Sequence, residues 1–213
     1  MKPICYIVGA MEPGEIAISS RRPALVIAAD AGVEHLQRQG ITPDWIVGDF
    51  DSLGYVPQGG NIVRHPVEKD DTDMLLAVRT GMAHGCREFV LYGGVGGRLD
   101  HTYANLQTLV WMAEQGLAGC MVCGDMLAAV IQNGSMTFPA GMAGTVSVFC
   151  PDGKAQGVCL RGLYYPLEGA ELTGSFPLGV SNSFTGAAAE ISVESGRLLV
   201  MWQESIADYL QRC

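Results

Sequence analysis

Residues 89–101 read FVLYGGVGGRLDH, and this stretch decides the fold class. Its first part, Phe89–Tyr92, is a short apolar run of the kind that forms buried parallel strands. Glycines follow, and then Arg98, Asp100 and His101 lead into a helical pattern. A strand that passes through a glycine-rich loop into a helix predicts one unit of an α/β domain with a mostly parallel sheet.

The same alternation extends outward from this stretch over the first ~125 residues. Five more apolar runs predict strands: Ile4–Val8, Leu25–Ala29, Trp45–Val47, Asn61–Arg64 and Met121–Cys123. Three segments have helical spacing: Gly32–Gln39, Thr72–Ala83 and Leu99–Glu114. We therefore predict a Rossmann-like α/β domain over residues 1–125.

After Asp125 the pattern changes to short β-favouring runs separated by glycine and proline turns. NG, DG and SG pairs mark turns between such runs. The runs include Ala128–Gln132, Thr145–Cys150, Val158–Arg161, Ala188–Val193 and Leu198–Trp202. This pattern is typical of an antiparallel β-sandwich, which we predict for residues 126–213.

Composition limits the possible functions. The 213 residues are 48% hydrophobic and carry a formal charge of −9, so a core is expected and binding to nucleic acid is not. No apolar run approaches the ~20 residues of a membrane span, so no membrane association is expected. Seven scattered cysteines are expected to be reduced thiols, which suggests the cytoplasm.

Aspartates follow several of the predicted strands. Asp30 ends the run LVIAAD, Asp49 and Asp51 end WIVGDFDS, and Asp73 begins a helix in EKDDTD. Any one of them can simply cap a helix. In an extended segment, however, Asp49 and Asp51 would point the same way, and a divalent cation such as Mg²⁺ would relieve their repulsion. Ligands collect at the carboxyl ends of parallel strands, so these motifs predict one acidic crevice there.

The glycines of residues 93–97 give this crevice a second property. Backbone N–H groups of such a loop, which includes Gly94 and Gly97, can hold phosphate oxygens at the start of a helix. The chain has no GxxxxGK[ST] motif, so a nucleotide would not be held in the Walker manner.

Five segments together resemble the thiamine pyrophosphokinase family. They are AADAGVEHL, ITPDWIVGDFDSL, EKDDTDMLLAV, LYGGVGGRLDHTYANLQTL and LGVSNSFTG, at residues 28–36, 41–53, 68–78, 91–109 and 178–186. The resemblance implies that ATP and thiamine give AMP and thiamine diphosphate with Mg²⁺. It also implies a homodimer with active sites at the subunit interface. Ala31 departs from the family, which often has glycine there.

The resemblance also assigns roles to residues. It implies that Asp49, Asp51 and Asp73 bind the metal, that Asp30 and Gly32 lie beside the nucleotide, and that Asp100, with a catalytic role, faces thiamine. Ser181 and Asn182 would contact thiamine from the partner subunit.

Four further residues keep two interpretations each. Arg98 either binds a phosphate or pairs with an aspartate, and Thr72 either contacts the nucleotide or caps its helix. His101 lies near the phosphates or is structural, and Phe184 packs on the pyrimidine of thiamine or in the core.

Two other functions stay open on the sequence alone. One is a pyrophosphokinase for another hydroxymethyl heterocycle such as a pterin, because the nucleotide half would be nearly the same. The other is a nucleotide- or thiamine-binding module without chemistry. The GVSN segment favours thiamine over a pterin, and the complete aspartate set favours an enzyme.

Overall fold

The computed structural model describes residues 3–50, 54–55, 57, 61–64 and 71–212. It divides the chain into two units, one made of residues 1–124 and 206–213 and the other of residues 125–205.

Nine elements follow one another in the first part of the first unit. They are β1 Ile4–Val8, β2 Ala24–Ala29, α1 Gly32–Arg38, β3 Trp45–Gly48, β4 Asn61–Arg64, α2 Asp73–Ala83, β5 Glu88–Tyr92, α3 Leu99–Glu114 and β6 Ala118–Cys123. All five residues of β1 are buried, as expected for a strand covered on both faces.

The strands of this unit form a parallel array in the order β6-β5-β1-β2-β3-β4. From β1 the chain adds β2, β3 and β4 on one side and then returns to place β5 on the other. The strand order therefore reverses between β1 and β5. In open α/β sheets, ligands bind outside the carboxyl ends of the strands at such a reversal.

The second unit contains only strands. They are β7 Met126–Gln132, β8 Ser135–Phe138, β9 Thr145–Phe149, β10 Lys154–Arg161, β11 Leu167–Thr173, β12 Gly179–Ser183, β13 Ala189–Ser192 and β14 Arg197–Gln203. They pair in the orders β12-β9-β14-β7 and β11-β10-β13-β8, and every pairing with a recorded register is antiparallel.

Aromatic rings join these two layers of the second unit. The ring of Phe138 in β8 lies 5.6 Å from that of Trp202 in β14 and 5.0 Å from that of Phe184. All three side chains are buried, so they form part of a sandwich core. Phe184 is accordingly a core residue, which is the second of its two interpretations. The predicted fold class, a mostly parallel α/β domain followed by an antiparallel sandwich, is confirmed.

The last helix, α4 Ile206–Arg212, groups with the first unit, whereas the sequence prediction assigned all residues after 125 to the second domain. Leu210 of α4 is buried, and the Nη1 atom of Arg21 donates a hydrogen bond of 2.8 Å to the carbonyl of Gln211. These contacts link residues far apart in sequence, and no local pattern reports them. None of the helices in the described ranges is long and apolar enough to cross a membrane.

Candidate active site

A cavity of about 400 Å³ opens at the carboxyl ends of β1, β2 and β5, where the strand order reverses. Its volume lies within the range of roughly 300–1,000 Å³ found for ligand sites. The lining residues are Gly9, Ala10, Met11, Ala29, Asp30, Asp71, Thr72, Asp73, Met74, Gly93, His101 and Asn105. Four predicted site residues, Asp30, Thr72, Asp73 and His101, are thus brought together.

Glycines let backbone segments approach closely behind this cavity. A Cβ atom added to Gly32 would lie 1.8 Å from the carbonyl oxygen of Val8, so only glycine fits where α1 begins against the end of β1. A Cβ atom on Gly93 would lie 2.5 Å from the carbonyl oxygen of Met11. Gly32, predicted to lie beside the nucleotide, is not among the lining residues but packs the backbone beneath them.

Asp30 occupies a left-handed backbone conformation with φ of 49° directly after β2. Its N–H donates to the carbonyl of Val47 at 2.8 Å, and its Cα lies 3.2 Å from where a Cβ of Gly48 would be. A non-glycine residue at positive φ is uncommon and persists when its surroundings hold it there. The next residue, Ala31, has φ of −62°, so its methyl group fits without backbone strain.

The N-terminus of α2 forms the second acidic wall. Thr72 is the N-cap, and its Oγ1 atom accepts a hydrogen bond of 3.2 Å from the N–H of Leu75. Thr72 therefore caps the helix, which is one of its two interpretations, and it also lines the cavity. Asp73 is the first helical residue, and Asp71 forms an ion pair of 3.1 Å with Arg79.

Three carboxylates, those of Asp30, Asp71 and Asp73, thus line one cavity, and no lysine or arginine is among the described lining residues. Within the described ranges, no three His, Cys, Asp or Glu side chains are already arranged around a common metal position. Magnesium is usually bound by one or two carboxylates, with waters and substrate phosphates supplying its other oxygen ligands. The donor set at this cavity therefore fits Mg²⁺.

The GDFDS motif differs from its predicted conformation. The strand β3 ends at Gly48, and Phe50 has φ of 64°, so the segment is not extended and the argument from alternating side chains does not apply. Asp49 follows Gly48 but is not among the lining residues, and Asp51 lies outside the described residues. A buried aromatic residue at positive φ is a backbone outlier, of a kind that clusters at functional sites.

Arg98 and Asp100 are bound to each other beside the cavity. The guanidinium donates to both carboxylate oxygens, at 3.2 and 2.6 Å, and this pairing lowers the pKa of Asp100 below its usual range. Of the two interpretations of Arg98, the structure has the ion pair with an aspartate. Both side chains are largely exposed, so a phosphate can compete for the guanidinium.

Asn105 is a lining residue that the sequence argument missed. It is buried in α3, and its Nδ2 atom donates to the carbonyl of Gly94 at 2.8 Å, which ties the glycine-rich loop to the helix. Gly94 and Gly97 are not lining residues, although Gly93 is. The signal in the sequence was a polar residue at helical spacing from the apolar Leu109 and Met112, on the buried face of α3.

In the second unit, the side chain of Asn182 forms hydrogen bonds with the backbone of a turn. Its Oδ1 atom accepts from the N–H groups of Tyr165 and Ser183, and its Nδ2 atom donates to the carbonyl of Tyr165. Ser181 is exposed, with φ of 58°. Asn182 also lines a cavity of about 220 Å³ whose other walls are mostly apolar, formed by Leu160, Tyr165, Leu167, Leu178, Gly179 and Val180.

Two family models match the chain in succession. The model described as thiamin pyrophosphokinase, catalytic domain, matches residues 20–121, and the model described as thiamin pyrophosphokinase, vitamin B1 binding domain, matches residues 135–198. The first range contains all the lining residues of the acidic cavity except Gly9, Ala10 and Met11. The second contains Ser181 and Asn182.

Solved structures of low sequence identity share the fold. Thiamine pyrophosphokinase from Bacillus subtilis is 21% identical with a TM-score of 0.82, over 96% of this chain and 100% of that one. The enzyme from Geobacillus thermodenitrificans is 24% identical with a TM-score of 0.79, over 96% and 99%. The yeast enzyme is 14% identical with a TM-score of 0.75, over 100% and 89%.

Proposed function

This chain belongs to the thiamin pyrophosphokinase family, as an enzyme that transfers the pyrophosphoryl group of ATP to thiamine, and we propose that the transfer takes place at the acidic cavity of the first unit. One observation carries this location. The carboxylates of Asp30, Asp71 and Asp73 line a cavity at the reversal of strand order, and Gly9 and Gly93 line the same cavity.

The reaction joins the hydroxyl oxygen of thiamine to the β-phosphorus of ATP. The bond from that phosphorus to the oxygen shared with the α-phosphate breaks in line, AMP leaves, and the hydroxyl proton is released. Reactions of this type depend mainly on positioning and on neutralising phosphate charge. In our proposal Thr72 and the backbone around Gly93 position the phosphates, Arg98 exchanges Asp100 for a phosphate oxygen, and His101 supplies a polar contact.

We assign the neutralisation of phosphate charge to Mg²⁺, which would be held by Asp73 together with Asp49 and Asp51. Bound there, the ion would offset the charge of the β- and γ-phosphates. The support is chemical. An acidic wall that carries no lysine or arginine among its described residues does not attract a polyphosphate unless a cation accompanies it.

We expect AMP formation to require Mg²⁺-ATP and thiamine together. Adding EDTA should abolish the reaction, and excess Mg²⁺ should restore it, because the carboxylates otherwise repel the substrate. A coupled assay for AMP measures this, with a hydroxymethyl pterin as the control acceptor. Equal AMP release with the pterin, or full activity in EDTA, would contradict the proposal.

We assign the binding of the acceptor, thiamine, to the second unit. We also propose that the enzyme acts as a homodimer in which this unit reaches the partner's active site. Ser181 and Asn182 would contact thiamine, with Asn182 acting mainly by shaping the turn at Tyr165. Large apolar side chains exposed on this unit support an interface. They are Tyr164, Tyr165, Phe176, Leu178 and Val180.

Phe176 is 65% exposed, and replacing it by aspartate should shift the protein from dimer toward monomer. The activity should fall in parallel with the mass of the species in solution. A charge placed in an apolar interface loses its hydration without gaining a partner. Sedimentation velocity at assay concentrations measures the mass, and Gln132→Asp, at another exposed position of the same unit, is the control. A wild-type protein that is active as a monomer would refute the dimer.

We also place the enzyme in the cytoplasm. None of the six cysteines of the described residues is paired in a disulfide. Burial raises the pKa of Cys123 to about 11, which keeps this thiol protonated and unreactive. Such thiols suit a reducing compartment.

A further inference from the structure

The segment Gly9–Met11 forms the wall of the cavity that follows β1, and it contains no charged side chain. The N–H of Gly9 donates to the carbonyl of Tyr92 at 2.8 Å, and the N–H of Met11 donates to the carbonyl of Gly93 at 3.2 Å. These bonds hold the segment against the end of β5. The position of this wall therefore determines the width of the cavity beside Gly93.

His35 of α1 holds the same segment from the other side. Its side chain is buried, and its Nε2 atom lies 2.9 Å from the carbonyl oxygen of Ala10. Its Nδ1 atom is hydrogen-bonded to Nη2 of Arg38. A guanidinium only donates, so Nδ1 is the acceptor and the proton of the neutral ring is on Nε2, which donates to Ala10.

One peptide group is thus fixed at both ends. The C=O and N–H of a trans peptide point in opposite directions, and those of the Ala10–Met11 peptide bind His35 and Gly93, respectively. The carboxylate of Glu12 lies 3.8 Å from Nδ1 of His35 and 3.9 Å from Nη2 of Arg38, so its charge attracts the guanidinium toward the ring.

We infer that His35 is a positioning residue for the nucleotide. By fixing the carbonyl of Ala10, it sets the wall on which Mg²⁺-ATP rests, although it does not itself line the cavity. This inference rests on the proposed location of the reaction. His35 lies in the segment AADAGVEHL, but it is not among the residues to which the resemblance assigns a role.

The amide of a glutamine can occupy the position of Nε2, whereas that of an asparagine reaches only as far as Nδ1. His35→Gln should therefore keep the bond to Ala10, and its KM for Mg²⁺-ATP should stay within about twofold of wild type. His35→Asn should raise that KM about fivefold, the loss expected for one hydrogen bond. The KM for thiamine should be unchanged in both, because the acceptor is bound elsewhere.

Steady-state kinetics with each substrate varied, beside thermal melts, decides the matter. Equal KM values for Mg²⁺-ATP in the two variants would overturn the inference, and so would a rise of both KM values together in His35→Asn. If His35→Asn does not fold, Arg38→Ala replaces it, since loss of the donor to Nδ1 frees the ring to take the other tautomer. This exposed variant should raise the KM for Mg²⁺-ATP about twofold, and an unchanged KM would again overturn the inference.

Calorimetry of the wild type with a nonhydrolysable ATP analogue and Mg²⁺ tests the proposed nucleotide site separately from the role of His35. Wild-type protein that does not bind the analogue would contradict the proposed site itself. Wild-type binding with indistinguishable Gln and Asn variants would contradict the role of His35 alone.

Discussion

Replacing Asp73 by asparagine is expected to lower kcat on the order of a thousandfold, because a metal clamp on transferring phosphates supplies several kcal/mol of transition-state stabilisation. Asp73 lines the cavity as the first residue of α2. The change preserves size and polarity, so the fold should remain.

The competing structural effect of this change is small. A carboxylate at a helix N-terminus stabilises the helix by about 0.3–1 kcal/mol through the helix dipole, and asparagine loses that interaction. A modest drop in melting temperature is therefore compatible with Asp73 as a metal ligand. A near-wild-type kcat at saturating Mg²⁺ would contradict that assignment.

The matched control is Ser181→Leu in the second unit, where we propose the acceptor side. This variant should raise the KM for thiamine and leave both the KM for Mg²⁺-ATP and the Mg²⁺ dependence nearly unchanged. If Ser181 is only a turn residue, activity toward both substrates should fall equally and the melting temperature should fall with it. That outcome would remove the segment from the active site.

Replacing Gly32 by alanine is expected to destabilise the first unit by about 3 kcal/mol or more. The added Cβ would lie 1.8 Å from the carbonyl oxygen of Val8 and 3.0 Å from that of Gly9, and both contacts are with backbone. Backbone cannot rotate away as a side chain can, so the start of α1 must separate from the end of β1.

Chemical denaturation of Gly32→Ala beside Gly134→Ala tests this packing. A Cβ on Gly134 would meet its nearest atom at 3.5 Å, an ordinary contact, so this control should be close to neutral. Equal stability of the two variants would show that the close approach at Gly32 is not needed. Since Gly9 lines the cavity, Gly32→Ala should also weaken nucleotide binding in any protein that folds.

The sequence predicts the first unit well because buried parallel strands are nearly continuous apolar runs. The predicted bounds of β1, β4 and α3 match those observed. The strands β8, β11 and β12 were not predicted. In β11 only one of seven residues is fully buried, so the run has no apolar pattern to detect.

The candidate site was predicted where it depends on carboxylates after strands, as at Asp30 and Asp73. It was missed where backbone and long-range contacts form the wall, as at Ala10, Met11 and Asn105. A carbonyl held by His35 across 25 residues leaves no local signal. The extended conformation expected for GDFDS was wrong because Phe50 takes a left-handed turn.

The grouping of α4 with the first unit has a consequence for synthesis on the ribosome. The strands and helices of residues 3–123 emerge first, but the segment that completes their unit follows only after residues 125–205. At about 5–20 residues per second, that interval lasts on the order of ten seconds. During this time the part of the first unit that later contacts α4, including the guanidinium of Arg21, lacks that partner, so the nascent chain exposes a surface that the finished enzyme covers.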